Sequence, residues 1–364
     1  MNDLANRSTR KLMKNINYKH PALSLFEELL AIPSPSGREE RSAEFIRRRL
    51  ESWGYEPEVD HTHTVLVRFP GRNPDGPLTI LAAHTDEIGL VVTGINDDGS
   101  LSVDRSGGLY PWKIGERPVE IIGDSQSLTG VISFGSTHTG AAAERVIKWP
   151  NVRVLTGLSP DQLRTAGIRP GATAVPTRDG CGPVIFGDPA DPLVGAWTFD
   201  DRMGVVALLR LLEEMSQAAI MPHLPTIIAF TTHEEGGGNG AKSLCFRERP
   251  TNFIAVDGCP TPPGSGLSLD GRPGIWSKDR FGHYDQRLVR DLCRAAEQAG
   301  TSLQPVVYET AASDASLVRS VGSADRIACF GHVRENSHGY EVARLACFDQ
   351  VYDILLEFIR NWAG

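Results

Sequence analysis

The sequence predicts an α/β protein, a mixed sheet flanked by helices and interrupted by a small β-barrel. Three observations carry that prediction. Short apolar runs rich in β-branched residues, such as TIIAF (226–230), end in polar loops bearing acids or histidines. Amphipathic helical segments alternate with these runs toward both ends of the chain. Between them, over residues 90–193, the texture changes to short strand candidates punctuated by glycine and proline turns.

The elements follow in order. Residues 1–19 read as a polar lead-in with no apolar core of a signal peptide. Leu23, Leu25, Phe26, Leu29 and Leu30 have helical spacing over 21–31, and IPSPSG stops that helix. A second helix, 38–53, carries Ala43, Phe45, Ile46 and Leu50 on one stripe. VDHTHTVLVRF (59–69) alternates and reads as one strand, with His61 and His63 on a common face, either as ordinary strand histidines or as a paired metal site. LTILAAHTDEIGL (78–90) reads as a buried strand ending at His84, with Asp86 and Glu87 just beyond. Imidazole is a good ligand for zinc and related metals, and an aspartate two residues away can orient it; a structural histidine is the alternative.

Residues 90–193 read as an inserted β-rich domain, leaving 1–89 and 194–364 as the larger α/β domain. Asp98-Gly99 is a hairpin signal, strand candidates follow at 119–123, 128–133, 171–176 and 183–188, and only 159–167 looks helical. Asp200 and Asp201 then precede a strongly apolar helix. Capping explains one aspartate at a helix start but accounts less well for a pair followed by Arg202.

TTHEEGGGNGAKS (231–243) comes next and organises the rest. On an extended segment the neighbours Glu234 and Glu235 point opposite ways, so one can hold a metal while the other faces substrate. A solvated strand end is the plain alternative. NFIAVDGCP (252–260) is a further buried strand ending in an acid, Asp257. An amphipathic helix (284–299) and 303–316 continue the alternation, and a last strand, 326–336, leads to Ser337, His338 and Glu341.

Composition bounds the function. The chain has 364 residues, 40% hydrophobic and 23% charged, enough for one large domain and a smaller one. A net charge of -8 without a basic block argues against nucleic-acid and anionic-membrane partners. No apolar run approaches the roughly 20 residues that span a bilayer. The six cysteines show no CxxC pair and read as reduced thiols of a cytoplasmic protein.

His84, Asp200, Glu234, Glu235, Asp257 and His338 all fall at or after strand or loop ends, where functional groups gather in open α/β sheets. Two histidines and three or four carboxylates suit a pair of divalent metals about 3.5–4 Å apart, one carboxylate bridging. One carboxylate must stay off the metals as general base. These residues point to a dinuclear hydrolase without choosing the bond.

The motifs resemble the dinuclear-metal aminopeptidase family that includes glutamyl aminopeptidase, deblocking aminopeptidase and the tetrahedral aminopeptidases. The resemblance covers roughly residues 20–360. His-x-Asp-Glu is matched by His84, Asp86 and Glu87, and Asp-Asp/Asn-Arg-x-Gly by Asp200 to Gly204. Glu-Glu-x-Gly-x-x-Gly-Ala is matched by Glu234 to Ala241, Val-Asp by Val256 and Asp257, and a Thr-Asp-Ala-like segment by Ser313 to Ala315.

The resemblance implies a zinc-peptidase-like catalytic domain with an inserted dimerisation domain. It implies His84 and Asp257 on one metal, Glu235 and His338 on the other, Asp200 bridging, Glu234 as general base and Asp86 orienting His84. The family's Arg-Tyr-x-His appears here as Arg334-Glu-Asn-Ser-His338, which displaces the histidine by one residue and makes His332 a rival. The implied activity is removal of N-terminal residues from short peptides through a metal-activated water, with two divalent ions (zinc, or cobalt or manganese), in a homo-oligomer, a dodecamer built from dimers. A related deacylase or amidase is the alternative. A glycosidase would leave Asp200, Asp257 and both histidines without a role, and a non-catalytic scaffold would be expected to have lost a ligand or the base.

Overall fold

The computed structural model describes residues 20–136, 138 and 146–364; the lead-in expected over 1–19 lies outside them. The main sheet runs in the order Glu58–Val59, Val65–Phe69, Thr226–Thr231, Thr79–His84, Asn252–Val256, Arg326–Gly331, Gly274–Asp279 and Gly282–His283, with Gln304–Val307 also paired to Gly274–Asp279. The four central strands, from Thr226–Thr231 to Arg326–Gly331, are parallel to one another. Val65–Phe69 and Gly274–Asp279 flank them antiparallel, so the sheet is mixed as expected. Nearly every residue of the four is buried, which is why they read as unbroken apolar runs rather than alternating ones.

Helix Phe199–Gln217 packs on Thr79–His84, and Pro21–Leu30 and Cys347–Asn361 pack on that helix. Phe26, Phe199 and Phe348 join the three, with ring centroids 4.8, 5.3 and 6.0 Å apart. Such aromatic pairs add about 0.5–1.5 kcal/mol each beyond the area they bury. Phe199 directly precedes Asp200, so this packing fixes where the aspartate pair enters the site.

Six strands between Gly89–Ile95 and Thr173–Pro176 close into a barrel. It has its own core, in which Leu90, Leu101, Ile121, Val154 and Ala174 are buried. The candidate at 183–188 forms Val184–Asp188, which lies outside the barrel. It pairs with Asp191–Trp197, and that strand pairs with Tyr340–Arg344. No helix among the described residues is long and apolar enough to cross a membrane.

Three element readings need correction. Residues 59–69 are two strands, because Asp60 folds the chain back: its Oδ1 accepts from Thr62 N (2.8 Å) and Thr64 N (3.1 Å). His61 and His63 lie in that turn, with His63 at φ 64°, so they share no strand face. Residues 159–167 are not the sole helical stretch of the insertion, since Pro111–Ile114 is a helical turn. The strand at 326–331 is not the last, because Tyr340–Arg344 follows and carries Glu341 into the site.

Candidate active site

The parallel strands end along one edge of the sheet, and the candidate residues gather there. His84 closes its strand in register with Thr231, and the chain beyond Thr231 turns through Glu234 and Glu235. Asp257 follows the Asn252–Val256 strand. His84 Nε2 lies 3.2 Å from Asp200 Oδ1. Its other ring nitrogen lies 3.1 Å from the Asp86 carbonyl and 3.4 Å from Asp86 Oδ1. The Asp86 carboxylate also accepts from Ser36 Oγ (2.6 Å), Glu234 N (2.9 Å) and Glu235 N (3.2 Å). One buried aspartate therefore orients the histidine and pins the glutamate turn.

The opposite side is built from loops. His338 Nε2 lies 3.4 Å from Glu235 Oε1 and 3.5 Å from Asp200 Oδ2, so Asp200 reaches both histidines. His338 has φ 59°, its N–H donates to Glu341 Oε1 (3.1 Å), and its Nδ1 meets the Gly108 carbonyl at 3.0 Å. Glu341 Oε2 accepts from Asp200 N at 3.0 Å. Arg334 donates to Asp200 Oδ2 and holds Glu341 Oε1 at 2.9 Å.

Among the described residues three groups offer ligand atoms within 4.8 Å of one another: His84, Asp201 and Asp257; His84, Glu234 and Glu235; and Asp200, Glu235 and His338. Burial, then the Asp200 charge, pushes Asp257 up to about 7. Burial also raises Glu234 and Asp201 well above the carboxylate range. Asp200 goes the other way: burial would raise it, but Arg334, His338 and His84 hold it well below. Burial opposes a charge on His338, yet Glu235 and Asp200 carry it to about 10. So many buried acids at one point need added positive charge to ionise together. Asp201 Oδ2, buried with no hydrogen-bond partner, is a vacant oxygen of the type a cation takes. Oxygen and imidazole donors in this arrangement fit divalent metal ions.

The expected residues thus come together, with one correction to their geometry. Glu234 and Glu235 do not sit on an extended segment facing opposite ways. His233 at φ 58° and the left-handed Gly238 curl the chain, Gly237 N returns to the Glu234 carbonyl at 2.9 Å, and both glutamates reach the His84 side. Their difference lies in neighbours, since Glu235 alone meets His338. His332 is buried against Phe199, with its Nε2 3.3 Å from Arg334 and in none of the three groups. Sequence reasoning left Arg334 and Asp201 without roles. An arginine is easily read as surface, and only the fold shows it inside the cluster.

Other motif residues have structural work. Glu87 is fully buried between Arg178 (3.1 Å) and Arg202 (3.3 Å) and accepts from Ser34 N (2.9 Å). Asp314 Oδ2 takes the Thr231 hydroxyl at 2.6 Å. The site opens into a cavity of about 870 Å³ that Pro260, Trp276, Tyr308 and Leu317 also line.

Comparison with known proteins agrees with this architecture. The sequence profile of M42 glutamyl aminopeptidase matches residues 64–354. The chain is 25% identical over 351 residues to a putative aminopeptidase, YhfE, of Bacillus subtilis, covering 93% of this chain and 97% of that one. It is 26% identical over 267 residues to a glutamyl aminopeptidase of Lactococcus lactis, covering 71% and 73%. The fold matches the Pyrococcus horikoshii TET1 peptidase with a TM-score of 0.80 at 25% identity, over 93% and 99% of the two chains. It also matches an aminopeptidase of Desulfurococcus kamchatkensis with a TM-score of 0.81 at 23% identity, over 93% and 94%, a likeness of fold. The mixed sheet, the closed barrel and these matches together place the chain in the M42 glutamyl aminopeptidase family of metal-dependent hydrolases.

Proposed function

We propose that this aminopeptidase removes N-terminal residues from short peptides at a two-ion centre. His84 and Asp257 serve one ion, Glu235 and His338 the other, and Asp200 lies between them. The observation that carries this is Asp200 itself, whose two oxygens face His84 at 3.2 Å and His338 at 3.5 Å. Asp201 Oδ2 is a further oxygen beside His84 and Asp257. His338 rather than His332 is the second histidine, since His332 faces Arg334 instead of the acids.

Divalent ions held there, zinc, cobalt or manganese, would polarise the scissile carbonyl and lower the pKa of the attacking water. Glu234 acts as general base: it lines the cavity beside His84 and Glu235, and once the charge of bound ions keeps it ionised it would take a proton from water and pass it to the leaving amine. Asp86 keeps His84 in position and holds the turn bearing both glutamates.

The Pyrococcus horikoshii relative assembles into a tetrahedron or a large octahedral shell, and a PhTET1 structure is a dodecamer. By that likeness we assign this chain to a homo-oligomer of dimers, paired through the insertion of residues 90–193, with the remainder as the catalytic domain. The unpaired state of the six cysteines suits a reducing, cytoplasmic setting.

The test joins elemental analysis to a panel of aminoacyl anilides and N-acyl compounds with added Zn²⁺, Co²⁺ or Mn²⁺. Two ions per chain and cleavage of free-amine substrates are expected. Cleavage confined to N-acyl compounds would establish the deacylase reading instead.

A further inference from the structure

Arg334 puts a permanent cation inside the carboxylate cluster, and the hydrolytic reading gives it no task. Its side chain is 3% exposed, with a hydrogen-bond partner at each terminal nitrogen and an ion-pair partner beside Nε. Nε lies 2.9 Å from Glu341 Oε1, one terminal nitrogen lies 3.3 Å from His332 Nε2, and the other donates to Asp200 Oδ2. Burial, and then the arginine's own charge, holds His332 well below its ordinary pKa, so its neutral ring can accept that bond. The backbone is shaped around the guanidinium: a Cβ on Gly258 would lie 1.2 Å from its terminal nitrogen. A planar fork held at both terminal nitrogens, with Glu341 beside its Nε, has little freedom to swing away.

The consequence falls on Asp200. Its Oδ1 faces His84, while its Oδ2 serves both His338 and the guanidinium. A cation held by Glu235 and His338 must share Oδ2 with a fixed positive charge, whereas one held by His84 and Asp257 meets the unshared oxygen. Like charges a few ångströms apart repel strongly where the groups are as buried as Arg334 and Asp200, whose side chains are 3% and 10% exposed.

We propose that Arg334 is a positioning residue that holds Asp200 by one oxygen and makes the two cation positions unequal, tight on the His84–Asp257 side and weak, hence exchangeable, on the Glu235–His338 side. The inference rests on the two-ion reading of the site.

The experiment is a Co²⁺ titration of the chelator-stripped full-length protein, followed by calorimetry and by the visible absorption of the bound ion. Wild type should bind two Co²⁺ with clearly unequal dissociation constants. Arg334→Met should tighten the weaker site by about tenfold or more and narrow the gap, while Arg334→Lys, which keeps the charge, should preserve it. An arginine with only a structural role would give the opposite sign, because loss of its anchor would misplace Asp200 and weaken binding. Weaker or unchanged binding in Arg334→Met therefore overturns the proposal. Since that variant leaves Glu341 without its cation, Arg334→Met/Glu341→Gln is titrated beside it and should show the same tightening. Two ions of equal affinity in wild type overturn the inference alone; fewer than two Co²⁺ per chain overturn the two-ion reading with it.

Discussion

The two halves of the site are held in different ways. His84 and Asp257 stand at the ends of adjacent parallel strands, so the hydrogen-bond ladder of the sheet sets their positions; the His84 side chain is 2% exposed. Glu235 and His338 stand in loops, and His338 is 30% exposed. They are placed by side-chain and carbonyl bonds, from Asp86 to the glutamate turn and from Glu341 and Gly108 to His338. The sheet-borne half tolerates no change of register, because a one-residue slip sends a side chain to the other face. The loop-borne half can absorb the extra residue between Arg334 and His338, since an αL turn at Asn336 and another at His338 bring the imidazole back. Gly108 lies just past the barrel strand Leu101–Ser106, so the barrel helps to hold the loop half of the centre.

The largest expected effect tests whether the two glutamates of the loop half divide their work. Glu234→Gln keeps shape and fold, and kcat should fall by about 10²–10⁴-fold with metal content unchanged and KM moving far less. Glu235→Gln should lose metal from the His338 side, with activity partly returning in excess metal. If Glu234→Gln is the variant that sheds metal, the roles are exchanged.

Next comes the foundation of the sheet half. Glu87→Gln leaves the buried guanidinium groups of Arg178 and Arg202 without their carboxylate. A loss of about 3–5 kcal/mol of stability is expected from breaking such a buried pair. Urea unfolding measures it, and a change under 1 kcal/mol would mean that water or a shifted acid compensates.

The smallest effect isolates the loop half. A Cβ at Gly108 would lie 2.5 Å from His338 Nδ1, so Gly108→Ala must displace the imidazole. Disturbing the partner that orients a ligand costs about 10–100-fold in metal affinity. Metal titration should show that loss at one ion only; equal loss at both would erase the distinction between the halves.

The amino-acid sequence by itself determined the layered architecture and named most of the residues that gather at the candidate site. Buried parallel strands write themselves as apolar runs, and a chemical group placed at such a strand's end is legible from its position, as with His84 and Asp257. Motif spacing carried Asp200, Glu234, Glu235 and His338 as well. Tertiary structure decided what depends on contacts between distant segments. It secured the break in residues 59–69 at Asp60, where Arg247 donates to Asp60 Oδ2 and Thr232 Oγ1 to the Thr62 carbonyl. It curled the Glu234–Glu235 segment into a turn, where alternation no longer applies. It brought Arg334 over Gly258 onto Asp200, from residues 76 and 134 positions away in the chain, respectively. A local pattern records which face of its own element a residue occupies. Only the packed fold sets the charge of its neighbours, and in this centre that charge is what separates Asp200 from a surface acid.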